Sequence, residues 1–295
     1  MGDAMTNVSR VMPFLFFTLT LAASGCVVDR TFLPGLEHLH SVDAQIPLPP
    51  ARPDSILVVT YNIQFGRDPA RAAADLRQAG LGDVDVLLVQ EMNADAIDTL
   101  AAALGMHARY QPAGVGRRRN RGFGNAVLSR WPITDTRMTV LPHRVPVFGW
   151  RRVAVACDLD IAGQPLRVVC LHLETVLLDQ RSRLAQAMAA LVLVGNDWSG
   201  PVIVGGDFNF ATPVGLAAAR RLYREHAGLR PVNQGPDCTI RGTIWRLMGV
   251  GCRLDLIFYR GLAPGAAGVA TEARASDHFP VWARFAWPPA RAGTL

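Results

Sequence analysis

Several apolar runs in this chain end or begin in groups that do chemistry. Asn62 closes ILVVTYN, Glu91 closes VDVLLVQE, His172 lies in RVVCLHLE, and Asp207 and Asn209 close VIVGGDFN. Asp255 follows the start of RLDLIF, and Asp277-His278 open SDHFPVWARF. A charge buried without partners costs several kcal/mol. One such run end is explained by a capped turn. The recurrence indicates strand ends that meet at a shared rim, where a cation and mutual hydrogen bonds offset that cost.

The chemistry such a set suits is phosphoester hydrolysis. Oxygen ligands from Glu91 and Asn62, completed by waters, match Mg²⁺ or Mn²⁺, because hard cations take octahedral oxygen sets. Zinc, with its Cys/His preference, fits poorly. The spacing in Asp207-Phe208-Asn209 places both polar groups on one side of an extended segment. One of them can take a proton from water while its neighbour holds the phosphate or the nucleophile. Asp277 and His278 can divide labour in the same way, with Asp255 orienting the imidazole.

These groups need a scaffold, and the pattern from Ser55 onward supplies one. Strands are expected near 56–62, 84–91, 124–129, 152–161, 166–173, 201–206, 239–245, 253–259 and 279–286. Asp68-Pro69 opens a helix that closes at Gly80, and Asn93 caps a second ending at Gly105. Further helices are expected near 179–195 and 214–225. Helices and strands are interspersed, yet several strands pair as hairpins. That predicts an α/β domain with mixed sheets and helices outside.

Half of the 295 residues are apolar, enough for one large domain. The net charge is +6, and all 30 basic residues are arginine. The Ala/Arg bias of runs such as LAAARRLYRE weakens any inference from charge to an anionic partner. GVGRRRNRGFGN (114–125) lies close to the expected rim and reads either as a grip on phosphate or as a solvated loop. Arg183 and Gln186, three apart in RSRLAQ, are supporting residues.

The N-terminal stretch VMPFLFFTLTLAASGC is too short to span a bilayer comfortably and has the form of an export signal. Its ending, Ala23-Ser24-Gly25-Cys26, resembles a bacterial lipobox, in which Cys26 is acylated. A plain cleavable signal and an uncleaved anchor are the alternatives. The expected organisation is a signal over 1–26, an extended tether over 27–54, the catalytic domain over 55–288 and a tail over 289–295. His38, His40 and His143 read as surface residues of tether and loops. Export permits disulfides. If Ile161 faces Leu166 across the turn Ala-Gly-Gln-Pro, Cys157 meets Cys170. Cys238 and Cys252 flank a second candidate hairpin, and four buried thiols are the alternative.

Taken in order, TYN, QE, GNAVLS, HLE, GDFN, RLD and SDHFPV resemble the endonuclease/exonuclease/phosphatase superfamily, from about Ile56 to Phe285. The resemblance implies a four-layer sandwich, two mixed β-sheets packed face to face with helices outside, and a divalent-metal site at one rim. By motif, Glu91 is the principal metal ligand, with Asn62 beside it and Asp277 supporting the metal and its water. Asp207 activates or orients the attacking water, and Asn209 contacts the phosphate. Asp255 pairs with His278, which stabilises the phosphorane-like charge or protonates the leaving oxygen. His172 is a second phosphate-contacting imidazole, and Asn125 is a substrate contact. Two features depart from the nuclease branches. RRRNRGFGNAV offers the first histidine no acidic partner, and Phe123-Gly124 stands where abasic-site endonucleases place a tyrosine.

The function implied is a metal-dependent phosphodiesterase of nuclease-like activity, acting as a monomer in the bacterial cell envelope and held to the membrane through acylated Cys26. A phospholipid or sphingomyelin headgroup is the alternative substrate. A non-catalytic anion-binding module on the same fold is the alternative of another class.

Overall fold

The computed structural model describes residues 38–45, 53–116, 121–144, 151–175, 178–235, 238–242 and 253–287. The expected export signal, Cys26, the tail 289–295, the arginines 117–119 and most of 143–150 lie outside them. Among the described residues, no helix is long and apolar enough to cross a membrane.

Two sheets carry the fold. One has seven strands in the order β1 (His40–Val42), β4 (His107–Gly116), β5 (Arg121–Ser129), β3 (Val86–Met92), β2 (Ser55–Asn62), β13 (Val281–Ala286) and β12 (Ala263–Val269). The other has six, in the order β10 (Arg230–Pro231), β11 (Asp255–Arg260), β9 (Val202–Asp207), β8 (Gln164–His172), β7 (Val153–Ile161) and β6 (Ile133–Val140). The central strands are apolar on both faces, as strands covered on both sides must be. Ile56, Val58, Val86, Leu88, Val168, Ile203 and Phe285 fill the space between the sheets. Leu57, Val59, Tyr61, Leu87 and Val89 pack against α1 (Pro69–Gln78) and α2 (Ala94–Leu104). Val169, Leu171, Val204, Phe208 and Phe258 pack into the core on the other side, with residues of α3 (Gln180–Ala190) and α4 (Pro213–Ala227). The layers are helix, sheet, sheet, helix, as the resemblance implied.

Each helix begins where its cap residue stands. Asp68 accepts from Arg71 N at 2.9 Å and Asn93 from Ala96 N at 3.1 Å, while Gly105 ends α2 at φ 63°. Strand β2 pairs with β3 in parallel, and β8 with β9 in parallel. Each pair brings two C-terminal strand ends to one side. Strands β11 and β13 run antiparallel to β9 and β2, so their N-terminal ends arrive at the same rim.

Three expectations change. Residues 40–42, assigned to the tether, form an edge strand on β4, and His40 binds Asp98 at 2.7 Å. The hairpin joining β7 and β8 turns on two residues, Ala162 (φ 51°) and Gly163 (φ 82°), and not on four. Gln164 therefore faces Ile161, which sets Cys157 opposite Val168 and Cys170 opposite Val155. Both thiols are buried and free. Cys238 is disulfide-bonded; Cys252, its expected partner, lies outside the described residues. Of the strand expected near 239–245, Ile240 forms an isolated bridge with His278, and residues 243–245 lie outside the described set.

Candidate active site

Strand β3 contains a bulge between Val89 and Met92, with Glu91 at φ 60°. A bulge re-aims a side chain that regular alternation would send elsewhere. Gln90 stays buried, bonded to Thr60 at 3.1 Å, while the Glu91 carboxylate meets the end of β2. Its oxygens accept from Asn62 Nδ2 at 3.3 Å and from Phe65 N at 3.2 Å. A left-handed conformation in a non-glycine residue costs of order 1–3 kcal/mol and is retained where the surroundings enforce it.

Asn62 also donates to Asp207 Oδ2 at 3.2 Å, tying the two sheets together at the rim. Gly206 (φ 149°) precedes Asp207, and a Cβ there would lie 1.8 Å from Leu171 O. Only glycine lets β9 approach β8 that closely. Asp207 lies beside His172 in the register, and its Oδ2 sits 3.4 Å from His172 Nε2 and 3.8 Å from His278 Nε2. On the other side Asp207 pairs in register with Asp255, whose Oδ2 lies 2.8 Å from His278 Nδ1. Ser276 fixes the approach of the last motif, since its hydroxyl donates to Asn62 O at 2.7 Å and accepts from His278 N at 3.2 Å.

Charge follows geometry. Burial pushes the Asp207 carboxyl up to about 7, with Asp255 adding to the rise and His278 opposing it. Burial would lower His278, but the Asp255 and Asp207 carboxylates outweigh it and raise the imidazole to about 10. Burial, then Arg152 and His278, hold His172 well below its ordinary value. Burial also raises Glu91, with Asp277 adding to it, against the pull of Arg152, His278 and Asn62.

A divalent cation fits this donor set. The Glu91 carboxylate is raised because its surroundings undercompensate its charge, and the donors beside it, Asn62 and Asp277, offer oxygen. Asn62 Oδ1 accepts from Gln64 N at 3.2 Å and keeps a second lone pair. Asp207, Asp255 and His278 form a compact group of buried candidate ligands, with ligand atoms within 4.8 Å of one another. The His278–Asp255 hydrogen bond, with Asp207 3.8 Å from the other ring nitrogen, gives them the arrangement of an acid–base pair and its orienting carboxylate.

Not every expected residue turns its polar group to the rim. Asn209 leaves the extended conformation at φ 51° and donates its amide to Leu173 O at 3.0 Å. Asn125 is buried and donates to Val153 O at 2.8 Å, an inter-sheet bond. Arg183 holds the carbonyls of Thr175 and Leu178, and Gln186 Oε1 accepts from Glu174 N at 2.8 Å. No role was legible in sequence for Glu174, Ser276 or Asp75, and Arg152, in WRR at 150–152, read either as a grip on phosphate or as a solvated residue. Glu174 stands in the quoted HLE motif, whereas Asp75 lies inside a helix with no motif around it.

Two facing sheets carry a buried acid–imidazole rim at one edge. The model of the Endonuclease/Exonuclease/phosphatase family matches residues 59–278, and the chain belongs to that family. Similar sequences include "UPF0294 proteins" of Vibrio parahaemolyticus, 32% identical over 42% of this chain, and of Erwinia tasmaniensis, 41% identical over 29%. Those matches span only 41% and 29% of the relatives' own lengths. Among solved structures, the human Nocturnin catalytic domain superposes with a TM-score of 0.63 at 21% identity, over 87% of this chain and all (100%) of its own. TDP2 of D. rerio, complexed with a single-strand DNA product, gives 0.61 at 18%, over 79% and 99%. A mannosyl-6-phosphatase of Bacteroides thetaiotaomicron gives 0.58 at 19%, over 79% and 100%.

Proposed function

We propose that this protein hydrolyses phosphodiesters with Mg²⁺ or Mn²⁺, favouring nucleic-acid-like substrates. The observation that carries the reading is the continuous chain of contacts from Glu91 through Asn62 and Asp207 to the His278–Asp255 pair. Glu91, with Asn62 and Asp277, would hold the cation, which when bound neutralises phosphoryl oxygens and lowers the barrier to attack. Asp207 orients the water and accepts its proton. His278, charged and held by Asp255, faces the charge that develops as the ester bond breaks. His172, whose Nε2 lies 3.4 Å from Asp207, flanks the phosphate. A scaffold that only binds anions has no need for this acid–base pair.

The preference for nucleic acid draws support from the fold shared with TDP2, whose structure holds DNA. The phosphatase on the same fold favours a monoester as the second reading. We propose further that the protein is exported and tethered through acylated Cys26, a reading supported by the lipobox-like ending and by a disulfide-bonded Cys238. Palmitate labelling abolished in Cys26→Ala tests the anchor.

Bis(4-nitrophenyl) phosphate and 4-nitrophenyl phosphate, each with and without EDTA, test the reaction. Metal-dependent turnover of the diester, lost in Glu91→Gln and Asp207→Asn, is expected. Turnover indifferent to EDTA or to both substitutions would overturn it. Plasmid DNA, RNA and sphingomyelin vesicles offered side by side then divide the substrate classes.

A further inference from the structure

Arg152 lies immediately before β7 and extends its side chain into the rim, where it is buried. Its Nε and Nη2 fork onto Glu174 at 3.2 and 2.9 Å, and its Nη1 lies 3.2 Å from Nδ1 of His172. Glu174 is fully buried, accepts from Thr175 N at 3.0 Å, and has its own N–H bound by Gln186 at 2.8 Å. The guanidinium also sits over the Phe123 ring, 5.2 Å from its centroid, and Phe123 in turn lies against His172. The guanidinium is thus held from three sides.

A guanidinium has donors and no acceptor. Its contact with Nδ1 is favourable only when that nitrogen carries a lone pair. The ring proton then belongs on Nε2, which faces the acceptor Asp207 Oδ2 at 3.4 Å. Both neighbours require the same tautomer. A proton on Nδ1 would set donor against donor in a buried site, where an unsatisfied polar group costs about 1–3 kcal/mol. A carboxylate in the place of Arg152 would require the opposite arrangement, with Nδ1 protonated and Nε2 free to exchange a proton with substrate.

We propose that Arg152, braced by Glu174, is a positioning residue that fixes His172 as the Nε2–H tautomer, making it a hydrogen-bond donor to a non-bridging phosphoryl oxygen and not an acid for the leaving oxygen. His172 forms and breaks no bond to hydrogen in this role, and acid–base work stays with Asp207 and His278. The catalytic half of this inference rests on the phosphoester reading above; the tautomer does not.

The tautomer is read directly by ¹⁵N NMR of histidine-labelled protein at neutral pH with Mg²⁺, the His172 signals being assigned by their loss in His172→Asn. A pyridine-type Nδ1 and a pyrrole-type Nε2 are expected, and a protonated Nδ1 in the wild type would overturn the proposal. In Arg152→Met/Glu174→Gln, which leaves neither charge buried alone, the Nδ1 signal should move toward a mixed tautomer; an unchanged pattern would show that Arg152 does not set it. The catalytic half is tested by leaving-group dependence. His172→Asn should slow diesters with 4-nitrophenyl and with alkyl leaving groups by a similar factor, on the order of 10². A loss confined to the poor leaving group would make His172 a general acid. Failure of the wild type to cleave any diester would sink the phosphoester reading while leaving the tautomer measurement standing.

Discussion

Asp255 pairs in register with Asp207 across β11 and β9, and from that position its Oδ2 reaches His278 Nδ1 at 2.8 Å. Its other oxygen, Oδ1, is buried with no hydrogen-bond partner among the described residues. The carboxylate is therefore directed at one task, orienting and charging the imidazole. Asp255→Asn preserves the shape and removes the charge. We expect kcat/KM to fall by roughly 10²–10⁴ with the fold intact, a range set by general acid–base contributions. The His278 titration should move below its present position of about 10. Steady-state kinetics and a histidine NMR titration measure the two effects.

Glu91 and Asp207 are both buried acids of the rim, yet they should fail differently. Glu91→Gln removes the candidate cation's anchor, so Mn²⁺ binding measured by calorimetry should weaken by at least about tenfold. Asp207→Asn leaves the Asn62–Glu91 contact in place and should retain most of the metal affinity. Its turnover should nevertheless drop by about 10² or more. Equal losses of metal affinity in both variants would contradict the separation of roles.

The motifs that mark this rim were legible because each lies at the end of an aliphatic run, where burial and charge conflict openly. ILVVTYN and VIVGGDFN show both the strand and its functional terminus. Strands β4, β6 and β12 were missed because HARYQPAGVG, ITDTRMTV and APGAAGV mix prolines, glycines or polar residues into edge or half-covered positions. The cysteine register went astray on a local choice of turn: Ala162 and Gly163 both adopt positive φ, so the hairpin needs no more loop. Arg152 was ambiguous in sequence because its role depends on Glu174, 22 residues away, and on a ring orientation that no spacing encodes.

Asp75 is a buried acid within α1 whose Oδ2 accepts from Arg274 N at 2.6 Å and Ala275 N at 2.7 Å. It thereby anchors the backbone just before Ser276-Asp277-His278. Burial would raise this carboxyl, but the Arg71 hydrogen bond and the two backbone N–H groups outweigh it and hold it below the ordinary range. A depressed carboxylate stabilises the fold above its unfolded pKa, and that contribution is lost as pH falls through the folded value. Asp75→Asn should cost about 1–3 kcal/mol at neutral pH. The deficit should shrink below about pH 4, where the wild type loses the same contribution. Urea denaturation at the two pH values gives the comparison.

Glu174 and Arg152 form an ion pair with side chains 0% and 5% exposed, so each is the other's condition for burial. Removing one partner leaves a buried charge uncompensated, which costs about 3–5 kcal/mol, whereas replacing both by groups of similar volume is often close to neutral. Glu174→Ala should therefore lower the denaturation midpoint sharply. Arg152→Met/Glu174→Gln should recover most of that stability, because neither site then holds an ion. The same double variant should not recover turnover, because His172 loses the donor that sets its ring. Stability restored without activity would separate the pair's structural contribution from its effect on the histidine. Activity restored along with stability would leave the pair with a packing role alone.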